Sequence, residues 1–141
     1  MLNNIDLEKK INSELNTKIS SSKIVHSTLN LTIEKNDLKN VLLFLKTNPN
    51  LKFKQLIDLT AVDYPNKKNR FRMIYLLLSH ELNNRIIIDL SLNENEKVFS
   101  ITSIFPSANW MEREVFDMYG IDFQDHPDLR RILTDYGFQG H

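Results

Sequence analysis

Residues 71–92 read FRMIYLLLSHELNNRIIIDLSL, and this stretch decides the fold. Large apolar and β-branched residues dominate both halves, which predicts strands over Phe71–Ser79 and 85–92. The polar residues between them contain two successive asparagines, and asparagine tolerates the positive φ of a hairpin turn. Residues 73–78 are apolar on both faces, so the first strand is expected to be a central strand covered on both sides. The second strand alternates, with one apolar side formed by Ile86, Ile88, Leu90 and Leu92.

Hydrophobic spacing predicts the remaining elements around this hairpin. They are helices over residues 5–15 and 38–46, strands over residues 23–26, 29–34 and 56–62, and a short strand or extended segment over residues 98–104. This order predicts an α+β fold, with helices packed on one side of a mainly antiparallel β-sheet and with a C-terminal helix and extended arm. Residues 1–108 are expected to form the scaffold, and residues 109–141 a docking arm continuous with the same domain.

The C-terminal stretch, NWMEREVFDMYGIDFQDHPDLRRILTDYGFQGH, differs in composition from the rest of the chain. It holds the only Trp, all three Gly and two of the four His. Asn109 as N-cap and Glu112 at the third helical position would make a capping box, and Gly120 is placed to end the helix in the left-handed conformation. An apolar stripe on this helix is expected at Met111, Val115, Met118 and Tyr119.

Three interpretations of this stretch compete. A metal or acid–base site would use its acidic residues together with His126, but that histidine has no second histidine three or four residues away. The acids could also be solvated or paired on the surface. A protein–protein docking surface is favoured, because Trp and Arg are enriched at interfaces and the Arg130–Arg131 pair suits bidentate carboxylate recognition.

The stretch also resembles a known family. EREVFDMY at residues 112–119, followed by HPDLRRIL at residues 126–133, is similar to the signature of the 30-kilodalton subunit (the C subunit) of respiratory NADH–quinone oxidoreductase, complex I. The resemblance extends to LIDLTAVDYP at residues 56–65 and IFPSANW at residues 104–110, so it covers residues 56–141. Members of the family usually continue beyond DYGFxGH into a basic tail, and contacts made by that tail are not transferred to this chain.

The resemblance implies a non-catalytic accessory subunit in the hydrophilic arm of complex I. Such a subunit docks beside the 49-kilodalton subunit that frames the quinone site and beside cluster-bearing neighbours, while FMN, iron–sulfur clusters and quinone belong to those partners. It lies peripherally on the matrix side of the mitochondrial inner membrane or on the cytoplasmic side of a bacterial membrane. The alternative is an equivalent scaffold subunit of a related membrane-bound hydrogenase complex. The candidate interface residues are Trp110, Glu112, Arg113, Glu114, Asp117, His126, Asp128, Arg130, Arg131 and Asp135.

Composition excludes several other classes of protein. The 18 basic and 18 acidic residues give a formal net charge of +0, which argues against sequence-independent binding to nucleic acid. The chain has 0 Cys, so it can form neither disulfides nor thiolate sites for zinc or iron–sulfur clusters. No apolar run approaches the roughly 18 residues that a transmembrane helix needs.

Overall fold

A five-stranded sheet forms the centre of the protein. The structure, a computed structural model, describes residues 3–127. The strands are β1 (Ile19–Val25), β2 (Thr28–Ile33), β3 (Gln55–Asp63), β4 (Phe71–Ser79) and β5 (Asn84–Leu92). They lie in the order β1-β2-β5-β4-β3, and every neighbouring pair is antiparallel except β2 and β5. The mainly antiparallel sheet of the predicted α+β fold is therefore confirmed.

The central hairpin follows the sequence prediction closely. Strand β4 has the predicted bounds, and β5 begins one residue earlier than predicted. Asn83 has a φ of 50°, as expected of asparagine in a hairpin turn. The preceding hairpin turns at His26 and Ser27, whose φ values of 50° and 63° suit the tight connection between β1 and β2.

All three helices cover the same face of the sheet. Helix α1 (Asn4–Leu15) buries Leu7, Ile11 and Leu15, and helix α2 (Leu38–Thr47) and helix α3 (Ala108–Tyr119) each bury an apolar stripe in the same core. On β4, alternate residues from Phe71 to Ser79 are buried, whereas the residues between them are only half-buried. Within residues 3–127 the helices cover only one side of this strand, because the helix stripes all join one face, so the cover predicted on the other side stays a prediction.

The chain after β5 differs most from the sequence prediction. The strand expected over residues 98–104 is only β6 (Val98–Phe99), because a turn follows in which the Ile104 and Phe105 amides donate to the Ile101 carbonyl at 3.0 and 2.8 Å. Strand β6 pairs in parallel with β7 (Phe123–Gln124). Helix α3 packs against β3, so residues 109–127 lie against the scaffold and do not extend from it as an arm.

Candidate subunit interface on helix α3

Helix α3 presents four of the predicted interface residues on one face. Trp110, Arg113, Glu114 and Asp117 are spaced by three, four and seven residues, so their side chains lie on the same side of the helix. Trp110 is 51% exposed, although a large aromatic side chain is normally buried at least in part. Glu114 and Asp117 are exposed beside it. The face therefore combines a large aromatic ring with charges of both signs.

Arg113 stacks on the Trp110 ring. Its guanidinium carbon lies 5.1 Å from the ring centroid, a cation–π distance that holds both side chains in place. The Arg113 Nε atom is buried and has no hydrogen-bond partner, and within residues 3–127 the guanidinium forms no ion pair. A positioned guanidinium with unused donors can receive a carboxylate from another molecule.

Glu112 lies on the opposite side of the helix and is completely buried. The Ser100 hydroxyl donates to one carboxyl oxygen at 2.6 Å, and the Ile101 amide donates to the other at 2.8 Å. The predicted capping box is therefore wrong, and none of the Glu112 side chain is exposed for the contact predicted with a neighbouring subunit. The helix begins at Ala108 with Ser107 as N-cap, so Asn109 lies inside the helix and cannot cap it. Glu112 shares a helix face with the buried Ala108 and Val115, which places it on the core side.

His126 completes this buried cluster. Its Nε2 atom donates to the Asn109 carbonyl at 3.0 Å and lies 3.9 Å from a Glu112 carboxyl oxygen, and neither ionisable side chain is exposed. The His126 side chain, also predicted at a subunit interface, is likewise not exposed for such a contact. Together these contacts join the segment after β6, helix α3 and the segment after β7.

Burial raises the pKa of two groups in this region. It raises the pKa of Glu112 to about 7, although the hydrogen bonds from Ser100 and Ile101 act in the lowering direction. Burial, and secondarily the charge of Glu112, raises the pKa of Tyr75 well above its usual value. The Tyr75 hydroxyl is buried without a hydrogen-bond partner. The buried cluster around Glu112 and His126 therefore links segments inside the protein, and it lines none of the cavities described among residues 3–127.

The structure separates the acidic residues that a metal site would need. Within residues 3–127, no group of three or more His, Asp or Glu side chains could hold a metal ion. Asp125 is exposed, Glu114 faces outward from α3, and His126 faces inward. Four candidate interface residues lie outside the described residues: Asp128, Arg130, Arg131 and Asp135.

Sequence reasoning missed three features of this region. Met118, predicted in the buried stripe, is 74% exposed and extends the outer face of α3. With Met111, Glu114 and Asp58 on β3, it lines a shallow groove of about 190 Å³. Helical periodicity could have suggested this, since Met118 lies eight residues after Trp110. Ser100 and Tyr75 have no local signal, because the hydrogen bond of Ser100 to Glu112 and the electrostatic influence of Glu112 on Tyr75 both arise from tertiary packing.

Comparison with solved structures places the fold in a known class. The chain is similar to one in the structure of the membrane-bound sulfane sulfur reductase (MBS), an archaeal respiratory membrane complex, with a TM-score of 0.77 and 20% identity. The likeness covers 89% of this chain and 73% of that chain. In the part of the chain that the structure describes, no helix is long and apolar enough to cross a membrane.

Sequence comparison then identifies the family. The family described as "Respiratory-chain NADH dehydrogenase, 30 Kd subunit" matches residues 31–141. The C subunit of NADH-quinone oxidoreductase is 42% identical in Chelativorans sp. and 45% identical in Parvibaculum lavamentivorans, over 96% of this chain and 68% of each relative. The protein of that name from Dinoroseobacter shibae is 51% identical over 87% of this chain and 57% of the relative. This chain belongs to the 30-kilodalton subunit family of respiratory NADH dehydrogenase.

Proposed function

We propose that this chain is a non-catalytic scaffold subunit in the hydrophilic arm of a proton-translocating NADH–quinone oxidoreductase. It docks beside the 49-kilodalton subunit that frames the quinone site and beside cluster-bearing neighbours, which carry FMN, iron–sulfur clusters and quinone. It lies peripherally, on the cytoplasmic side of a bacterial membrane or on the matrix side in mitochondria. The family match supports the complex, and the exposed Trp110, stacked with the half-buried Arg113, supports a docking role.

The Trp110–Arg113 pair carries the docking proposal on physical grounds. A few desolvated aromatic and arginine side chains supply most of the binding free energy at protein interfaces. The stacked geometry fixes both side chains before a partner arrives, which lowers the entropy cost of association. The partner surface is therefore expected to offer a pocket for the indole ring and a carboxylate for Arg113.

The non-catalytic part of the proposal rests on the chemistry of the described residues. The buried ionisable side chains among the described residues include Glu112, His126, Tyr75 and Asp89, and none of these four is exposed to a substrate. Nucleophilic and acid–base catalysis both need a reacting group within hydrogen-bond distance of the substrate. The absence of cysteine also removes the thiolates that iron–sulfur clusters use.

The test is native electrophoresis of gently solubilised membranes that contain the tagged full chain, followed by mass spectrometry of each band. Migration with the 49-kilodalton, cluster-bearing and NADH-binding subunits is the expected result. Migration with hydrogenase subunits and without an NADH-binding subunit would favour the alternative, a scaffold subunit of a related membrane-bound hydrogenase complex. A chain that migrates alone would contradict both assignments.

A further inference from the structure

The sheet has a second face that no described helix covers. Its centre is an apolar strip formed by Ile74, Leu76 and Leu78 on β4 and by Ile87 on β5, which pairs with Leu76. All four side chains are half-buried, since neighbouring strands shield their flanks but nothing packs on top of them within residues 3–127. Large apolar side chains gathered on one sheet face are characteristic of an interaction surface.

A neutralised ion pair lies on this face. Asp89 is 3% exposed, accepts a hydrogen bond from the Thr32 hydroxyl at 2.9 Å and lies 2.8 Å from an Arg72 guanidinium nitrogen. These contacts join β2, β5 and β4 across the face. The carboxylate and guanidinium neutralise each other, so this pair adds no net charge to the face. Within residues 3–127, the carboxylate beside the strip that forms no ion pair is that of the exposed Asp58 on β3, the register partner of Leu76.

Each end of the apolar strip opens into a polar pocket that contains basic residues and no carboxylate. At the hairpin end, the pocket of about 410 Å³ includes Arg85 in its lining. At the other end, the pocket of about 360 Å³ includes Lys67, Lys68 and Arg72. Within residues 3–127, Arg85 and Lys68 form no ion pair. Three acids of this region are already engaged, since Asp89 binds Arg72 and since Arg70 binds both Asp63 and Glu94.

The length of the strip determines what can lie along it. At about 3.3 Å per residue, the part of β4 between the two pockets is about 20 Å long. An α-helix of about 14 residues, four turns at 1.5 Å per residue, has the same length. We propose that the uncovered sheet face binds an amphipathic helix of a partner protein. Its apolar stripe lies on Ile74, Leu76, Leu78 and Ile87, and a carboxylate near each end enters one of the two basic pockets.

Charge disfavours a second copy of this chain as the occupant. A face-to-face dimer needs a two-fold axis in the plane between the two faces. With the axis along β4, each end of the strip meets its own counterpart; with the axis across β4, each end meets the opposite end. Both ends carry unpaired cations, so either arrangement places cation against cation.

The identity of the occupant is tested in the complete assembly, with a photo-crosslinking amino acid in place of Leu76 in the full chain. The expected crosslink joins another polypeptide, in a segment with apolar residues at helical spacing and acidic residues about 14 positions apart. A crosslink to lipid, to a second copy carrying a different tag, or to this chain's own residues would overturn the proposal, as would the absence of any crosslink.

The contribution of the sheet face to assembly is tested by competition. A tagged variant and the wild-type chain are produced together, and the fraction of each in the purified assembly is measured. Leu76→Asp places a charge in the strip, and Arg85→Glu reverses the charge of the hairpin-end pocket. Each is expected to lower the variant's share of the assembly about tenfold. The matched controls lie on the helix-covered side: Leu43→Asp on α2 and Lys9→Glu on α1 are expected to leave the share unchanged.

The inference rests on the chain being a subunit, and the outcomes separate the two proposals. A wild-type chain that joins no other NADH dehydrogenase subunit contradicts the proposed function. Wild-type, control and sheet-face variants that enter the assembly equally contradict only the sheet-face proposal. Circular dichroism shows whether Leu76→Asp folds; if it does not, Arg85→Glu decides, because its exposed side chain can change without disturbing the core.

Discussion

At the scale of single residues, Glu112 shows how burial changes the role of a charged side chain. The sequence places it among acids and arginines that suit a docking surface, but its carboxyl group instead joins two segments inside the protein through Ser100 and Ile101. A buried carboxylate is costly unless hydrogen bonds compensate it, and two donors compensate it only in part. Its pKa is therefore raised to about 7.

This raised pKa predicts a stability that falls with pH. The folded state holds the Glu112 proton more tightly than the unfolded chain, whose pKa is near the ordinary 4.5. This preferential protonation stabilises the folded state fully below pH 4.5, and the stabilisation is lost as pH rises to about 7. The loss amounts to about 3 kcal/mol of unfolding free energy. Denaturant unfolding of the wild type and Glu112→Gln at pH 5 and at about pH 7.5 checks this.

The comparison isolates Glu112 from the other carboxyl groups. Glutamine keeps the shape of glutamate and cannot ionise. The unfolding free energy of the wild type minus that of Glu112→Gln should therefore decrease from pH 5 to about pH 7.5. The exposed Glu114→Gln on the same helix should follow the wild-type pH dependence. Parallel pH profiles for wild type and Glu112→Gln would show that the carboxyl group is not protonated preferentially in the folded state.

Trp110 predicts a different result, because its side chain contributes to binding more than to folding. With 51% of the residue exposed, Trp110→Ala should change the unfolding free energy of the isolated chain by less than about 1 kcal/mol. In the assembly, removal of an interface anchor should weaken association by about 2 kcal/mol or more, roughly thirtyfold. Competition with tagged wild-type chain measures this. Ile5→Ala, similarly exposed on α1, is the control, and equal loss for both would contradict an anchor role.

At the scale of elements, sequence signals predict a helix end or a strand only where the residues that determine it are neighbours in the sequence. The glycine signal places the end of α3 correctly, since Gly120 has a φ of 72° and its amide donates to the Phe116 carbonyl at 2.8 Å. The N-cap signal at Asn109 places the start of the same helix wrongly, because the turn that follows Ile101 lets helical structure begin at Ala108. Alternation predicts β5 well, because this strand buries one full face, whereas a continuous run of apolar residues predicts the extent of β4.

Gly120 gives a prediction about helix termination. A methyl group added there would meet no atom within 4 Å, so Gly120→Ala acts through the backbone alone. A left-handed φ costs an alanine about 1 kcal/mol more than a glycine, and the thermal midpoint should fall by a few degrees. Ser107→Ala at the other end should leave the midpoint unchanged, because the Ser107 side chain makes no capping hydrogen bond. Equal midpoints for Gly120→Ala and wild type would contradict this account.

At the scale of the whole molecule, pairing between distant segments could not be predicted. The parallel pairs β2–β5 and β6–β7 bring together segments far apart in the chain, and no local pattern encodes them. For the same reason the inward positions of Glu112 and His126 were missed, since Ser100 and Asn109 become their partners only after the tertiary fold forms. The outward face of α3 could be predicted, because helical spacing alone places Trp110, Arg113, Glu114 and Asp117 together.

The junction between the two halves of the sheet is where a single substitution should affect the whole fold. Asp89 on β5 holds Thr32 on β2 and Arg72 on β4, so it joins β2 to the hairpin of β4 and β5. Asp89→Ala leaves the Thr32 hydroxyl and the partly buried Arg72 guanidinium without their acceptor, at an expected cost of about 2–3 kcal/mol. The urea midpoint should fall while the slope of the transition stays constant, since the fold unfolds as one unit.

Asp63→Ala, which removes a more exposed partner of Arg70, should give a smaller shift. If the two shifts were equal, or if Arg72→Ala and Asp89→Ala were additive in a double-mutant cycle, the ion pair would not stabilise this junction.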